Sequence, residues 1–288
     1  MKNKFGLITF SQSGSEFRLN GNKLVKNAKK IGFDVAKNLS EKDIKNKKII
    51  KQLNYNLKLG NRGYGFMMWK PYIILDFLNK NNIEYLIYHD AGRSIYNDYS
   101  LTFFPKKIIE YIKINKLDFF LGNLIPQYGP MSKWTKRDCF LIMNADKKQI
   151  YSKPQIQSGW SVWKNNENSK FFLKLWLKYS LNYRCIANID NELKKKNYPN
   201  FQAHRNDQSI YSILFYKLKY TKKHYFDFSH HLIFIILINF LNKFKKPNLI
   251  SGQFLKAMDD AELMLSKKYF KIFYKFISFY INKKIWKR

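Results

Sequence analysis

The feature that most constrains this chain is its opening rhythm: a short apolar run, a polar loop, an amphipathic segment and a second apolar run. Phe5 to Phe10 is rich in strand formers and stops at Ser11-Gln12-Ser13-Gly14-Ser15, a turn-forming loop. Phe17 to Lys30 then sets Leu19, Leu24, Val25 and Ala28 on one side of a helix, and Phe33 to Ala36 reads as a second strand. This strand–loop–helix–strand opening belongs to an open parallel sheet. Downstream, Ser40 to Asn61 reads as a solvated, lysine-rich helix, and Pro71 falls in the first turn of a helix reaching Asn79, where its missing N–H costs nothing. Glu84 to His89 is an apolar strand that stops at Asp90-Ala91-Gly92. Ile108 to Lys116 reads as a helix, Asp118 to Leu121 as a strand and Gln155 to Trp163 as another strand. Ser169 to Tyr183 is a strong helix, and Ile210, Ile213 and Leu214 mark a last apolar one. The expected fold class is α/β: an open, mainly parallel sheet flanked by helices.

The bulk numbers narrow the partners. Across 288 residues, 45% hydrophobic and 18% aromatic composition excludes a disordered chain. Lys and Arg number 53 against 20 Asp and Glu, a formal charge of +33 that suits nucleic acid, an anionic membrane or a polyanionic substrate. Cys139 and Cys185 make neither a metal-ligand spacing nor a disulfide framework, which fits a reducing compartment. The longest apolar stretch, Leu232 to Leu241, is half of what a membrane crossing needs. A cytoplasmic protein is expected, with peripheral membrane contact at most. Beyond about Asp227 the character changes, and Tyr269 to Ile277 interleaves aromatics with lysines as interfacial helices do. Two parts are therefore expected: residues 1–227, and a basic, aromatic-rich helical appendage over 228–288.

In α/β sheets ligands gather at the carboxyl ends of strands, so Asp90 stands where chemistry is expected. Ala91 and Gly92 after it let a ligand approach the backbone. Asp207 immediately precedes an apolar helix, a place that serves equally as a pocket carboxylate or as a helix N-cap. Trp69, Trp160 and Trp163 offer ring faces for stacking, though aromatics at such spacing are more often core.

The order of four blocks resembles a known group. Gly63-Tyr-Gly-Phe-Met-Met-Trp-Lys-Pro, then Tyr88-His-Asp-Ala-Gly, then Thr135-Lys-Arg-Asp, then His204-Arg-Asn-Asp-Gln-Ser is similar to GT-A-type glycosyltransferases of bacterial polysaccharide and lipopolysaccharide clusters. The likeness spans roughly residues 5 to 220. It implies a GT-A-like fold and transfer of a sugar from a nucleotide-sugar donor, by family habit a UDP-sugar, to a glycan or lipid-linked acceptor. By the resemblance Asp90 stands where the family's Asp-x-Asp motif holds a divalent metal and the donor, but Gly92 replaces the second carboxylate. A Mn²⁺ or Mg²⁺ ion held by Asp90 and His204 is one expectation. In its absence Lys70, Lys136 and Arg137 are the candidates to neutralise the leaving diphosphate. Asp207 is implied as the catalytic residue nearest the reacting sugar. Donor contacts are further implied at Thr9, Ser11, Asp138, Gln157, Ser158 and Gln208.

The appendage's lysines, each worth about 1 kcal/mol near an anionic leaflet, suggest membrane association beside a lipid-linked acceptor. Two readings from other classes stand beside the transferase: a non-catalytic membrane-surface adaptor on a degenerate transferase fold, and a basic nucleic-acid-binding protein. The scattered lysines and the lack of any nucleic-acid-binding signature favour no nucleic-acid partner.

Overall fold

The computed structural model describes residues 4–30, 32–92, 109, 112–123, 128–220 and 222–226, all within the unit Met1–Phe226. The basic appendage expected over 228–288 lies outside the described residues.

The chain forms a mixed sheet with helices on both faces. Its strands are β1 (Phe5–Phe10), β2 (Val35–Leu39), β3 (Tyr85–His89), β4 (Phe119–Asn123), β5 (Trp160–Lys164) and the two-residue β6 (Tyr225–Phe226). They lie in the order β2-β1-β3-β5-β4-β6. β1 is parallel to β2 and β3, and β4 to β6, whereas β5 runs antiparallel between β3 and β4. The long helices are α1 (Phe17–Lys30), α2 (Lys47–Leu59), α3 (Lys70–Lys80), α4 (Glu167–Ser180) and α5 (Asn206–Lys217).

Period-two alternation divides the core between the two faces of the sheet. Ile8, Phe10, Leu86 and Tyr88 face one side, where α2, α3, α4 and α5 add Leu53, Ile74, Phe172 and Ile210. Leu7, Tyr85, Ile87 and Val162 face the other, against Leu24 and Ala28 of α1 and against Ile109 and Ile112. A strand covered on both faces must be apolar throughout, which is why all five residues of β3 are buried. Trp160 and Trp163 are fully buried core, and Trp69 stacks on Phe10 at 3.8 Å.

Three local expectations shift, the first being the strand expected over Gln155 to Trp163, which is confined to Trp160–Lys164. The second strand begins at Val35 rather than Phe33, because the Phe33 N–H closes the turn after α1 by donating to the Ala28 carbonyl. The lysine-rich helix is not wholly solvated. In α2, Ile49 and Leu53 lie one turn apart and enter the core, and Asn46 caps the helix by accepting from Lys48 and Ile49 N–H. Among the described residues, no helix is long and apolar enough to cross a membrane.

Candidate functional site

The register of the antiparallel pair builds the first half of the site. His89 at the end of β3 opposes Trp160 at the start of β5, so the next residue along, Asp90, meets Gly159 and donates its N–H to that carbonyl at 2.8 Å. Ser158 thereby comes beside Asp90. Gly122 of β4 makes room for this approach: a Cβ there would stand 2.2 Å from the Gln157 carbonyl oxygen.

The second half comes from the segment before α3. Gly63, Tyr64, Gly65, Phe66 and Met67 all have φ between +55° and +74°, a left-handed turn in which three of five residues carry side chains. Each such residue costs about 1–2 kcal/mol against the right-handed alternative. The Trp69 indole N–H braces the turn by donating to the Gly63 and Tyr64 carbonyls. Gly65 is required twice over, by its φ of +74° and because a Cβ would lie 2.5 Å from Leu53. Strain of this kind, held by its surroundings, marks ligand clamps and active sites. Here it delivers Lys70, fully buried at the start of α3, to the carboxyl end of β3.

Lys70 is the centre of the site. Its ammonium lies 2.8 Å from Asp207 Oδ2 and 3.2 Å from Asp90 Oδ1, and it donates to the Ser158 carbonyl at 3.3 Å. Three donors therefore meet three acceptors. Ser158 Oγ donates to the same Asp207 oxygen at 2.8 Å, and the Tyr88 hydroxyl donates to the same Asp90 oxygen. The Trp176 indole N–H holds the Asp207 carbonyl at 3.2 Å. Burial opposes charge on Lys70, but Asp207 and then Asp90 outweigh it and hold its pKa above the ordinary lysine value. Asp207 is pushed up by burial, only partly offset by Lys70, so it ionises less readily than a surface aspartate. Burial and then Asp90 push the Tyr88 phenol well up, keeping it a neutral donor.

The two carboxylates differ in access. Asp207's side chain is 2% exposed and Asp90's is 31%. Both line a cavity of about 180 Å³, together with Arg62, Met67, Lys70, Gln157, Ser158, Gly159, Arg205 and Gln208. That is below the roughly 300–1,000 Å³ of a whole drug-sized ligand site. Asp207 is the second residue of α5, reached through irregular chain rather than from a strand. It caps nothing: its carboxylate turns to Lys70 and Ser158, and Arg205 stands at the N-cap position.

Of the residues nominated from sequence, Lys70, Asp90, Gln157, Ser158, Asp207 and Gln208 come together. The others do not join them. Ser11 Oγ donates to Asn38 and is tied down by Arg18, and Thr9 is buried at the end of β1. Gly92 sits in the turn after Asp90, outside the cavity lining. Lys136, Arg137 and Asp138 build a second cluster. The Lys136 ammonium donates to the Ile189 carbonyl, Arg137 pairs with Asp146 at 3.0 Å, and Asp138 accepts from the Glu192 and Leu193 N–H groups. These contacts hold the irregular 187–205 segment in place. Arg62 and Met67 escaped the sequence reading; the available signal was their position at the two ends of the Gly-aromatic-Gly turn.

His204 belongs to the second cluster as well. Its Nδ1 accepts from the Lys136 N–H at 3.3 Å and its Nε2 donates to the Cys185 carbonyl at 2.7 Å. Protonation would put a donor against a donor. Burial, followed by the Lys136 charge, holds its pKa down at about 3. Both nitrogens are committed inside the protein, and Asp90's inner oxygen already accepts from Lys70 and Tyr88. The described residues contain no group of three or more His, Cys, Asp or Glu side chains placed to hold a metal. An Asp90–His204 metal site does not fit this donor set.

The chain matches no protein-family model and no curated protein.

Proposed function

We propose that this protein is a glycosyltransferase of the GT-A type, moving a sugar from a nucleotide-sugar donor, UDP-sugars favoured, to a glycan or lipid-linked acceptor. One observation carries the reading: Lys70 joins the Trp-Lys-Pro, Asp-Ala-Gly and His-Arg-x-Asp-Gln-Ser blocks in one cavity, where it bridges Asp90 and Asp207. A buried ion pair is weak as a source of stability, so its maintenance favours a role at the cavity.

Asp90, the more exposed carboxylate, is the group within reach of a ligand, and Gln157 and Gln208 line the same cavity. Asp207 is a positioning residue that anchors the ammonium from below. In transfer the acceptor hydroxyl oxygen bonds to the anomeric carbon, the bond from that carbon to the phosphate oxygen breaks, the nucleoside diphosphate leaves with the electron pair, and the hydroxyl proton passes to the departing diphosphate. Fixed positive charge at the leaving oxygens lowers that barrier without reorganisation. The acceptor stands at an anionic membrane surface in this proposal, a part that rests on the lysine–aromatic pattern of the 228–288 segment.

The test is a panel of nucleotide sugars, following both binding and slow donor hydrolysis, with and without Mn²⁺. Binding of at least one donor with measurable hydrolysis is expected. Failure of every donor to bind sinks the reading. Salt-steep DNA binding instead supports the nucleic-acid reading, and donor binding without turnover on any lipid-linked acceptor supports the adaptor.

A further inference from the structure

We propose that Arg62 and Arg205 are the anion-binding pair of this cavity, and that the Lys70 ammonium stands where a divalent cation would otherwise bridge Asp90 and Asp207. The ligand's phosphates are then bound without a metal ion. The identity of the anion as a diphosphate rests on the transferase reading; the cation assignment does not.

The cavity's charge inventory leads here. Three cations line it, Arg62, Lys70 and Arg205, against two carboxylates, Asp90 and Asp207. Both carboxylates are engaged by Lys70. Among the described residues no carboxylate pairs with either arginine, although Arg137 and Arg184 elsewhere each hold one. The lining therefore carries one net positive charge, and its two guanidinium groups, Arg62 and Arg205, are the cations a ligand meets that no described carboxylate pairs. Guanidinium groups suit this task, since their planar forks grip phosphate oxygens in pairs.

Arg205 is held through its side chain, and Arg62 is fixed through its backbone. The Arg205 guanidinium lies 4.7 Å from the Trp134 ring centroid, and its backbone N–H donates to the Trp134 carbonyl at 3.0 Å. Arg62 opens the left-handed turn, and its carbonyl accepts from the Phe66 N–H at 2.7 Å. The strained turn thus has a product: Arg62, Met67 and Lys70 lining one cavity.

The place of a metal is taken. A Mg²⁺ or Mn²⁺ ion wants about six oxygen ligands in a tight shell. Between Asp90 and Asp207 it would have to expel a buried ammonium that satisfies three acceptors, and leave that ammonium buried without partners. The loss of the family's second carboxylate at Gly92 fits this arrangement, because a lysine bridging two aspartates needs no further acid.

The experiment titrates the full chain with inorganic pyrophosphate in EDTA, by calorimetry, beside the Arg62→Gln, Arg205→Gln and Lys70→Met variants. Binding in EDTA is expected for the native protein, weakened roughly ten- to a hundredfold by either arginine change. Electron paramagnetic resonance should find no stoichiometric Mn²⁺ on the native protein, whereas a folded Lys70→Met frees two carboxylates and gains Mn²⁺ affinity. Absence of pyrophosphate binding in EDTA overturns the proposal, as does indifference to both arginine changes or Mn²⁺ bound to the native protein through Asp90. Should Lys70→Met not fold, the native-protein and arginine measurements decide alone. Pyrophosphate bound by the arginines with no donor turned over would remove the transferase reading and leave this one. Donor turnover abolished by EDTA would do the reverse.

Discussion

Two of the buried polar clusters among the described residues were nominated from the same sequence resemblance. Around Lys70 most partners are side chains: two aspartates, a serine and a tyrosine from three separate segments, joined by the Ser158 carbonyl, beside a cavity. Around Lys136, Asp138 and His204 the partners are mostly backbone, namely the Ile189 and Cys185 carbonyls and the N–H groups of Lys136, Glu192 and Leu193. Backbone groups need partners wherever irregular chain is buried, so a side chain that serves them is scaffolding. Side chains that satisfy one another next to a cavity, with one carboxylate 31% exposed, are in no such debt. The kind of partner separates the two clusters better than burial, which they share.

The largest effect expected is from Lys70→Met, which leaves the buried Asp207 and the partly exposed Asp90 without their cation. About 3–5 kcal/mol of stability should be lost, read from urea denaturation at pH 7, with partial recovery in acid as the carboxylates protonate. A variant as stable as the parent would erase the distinction between the clusters.

His204 supplies the second test. Its imidazole is held down to about 3 in the folded state, whereas in the unfolded chain it titrates near 6.5. The unfolded state therefore takes up a proton first as pH falls. The stability His204 contributes is full above pH 6.5 and is lost between there and pH 3, on the order of a few kcal/mol. Urea midpoints at pH 7, 5 and 4 should fall more steeply for the native protein than for His204→Asn.

Asp138→Ala should cost about 1–3 kcal/mol, because the Glu192 and Leu193 N–H groups lose a charged acceptor. Pyrophosphate affinity of the folded fraction should stay the same; a tenfold loss would move Asp138 into the site. The smallest stability effect is expected for Asp90→Asn. Within about 1 kcal/mol of the parent, it should keep its fold, since the side chain is partly exposed and Asp207 still holds Lys70. Donor binding should fall all the same, and unchanged donor affinity would remove Asp90 from the ligand.

Much of the framework was legible before any coordinates. β1, α1, β3 and α4 follow from apolar periodicity, because a strand or helix that buries one face must declare it in spacing. The second strand slipped by two residues because Phe33, apolar and aromatic, is used in a turn. The antiparallel insertion of β5 was not legible at all, since its apolar run reads alike in either direction. Within the site, Asp90 and Asp207 were found, but Lys70 was seen only as one of several cations for a phosphate. Nothing local to Trp-Lys-Pro says that its lysine is buried between two aspartates. Arg62 was invisible for a related reason, as an ordinary surface cation until the left-handed turn carries it to the cavity.

The sequence by itself determined an α/β chain with a strand ending at Asp90, and an ordered set of polar blocks with a shared likeness. These are properties of local periodicity and residue order. Only the tertiary structure decided which blocks meet. It turned Asp207 away from its helix cap, joined it through Lys70 to a carboxylate 117 positions earlier, and withdrew His204, Lys136 and Asp138 into scaffolding. Charge pairing depends on distances of about 3 Å, and those are set by strand register and helix packing, which no single segment encodes.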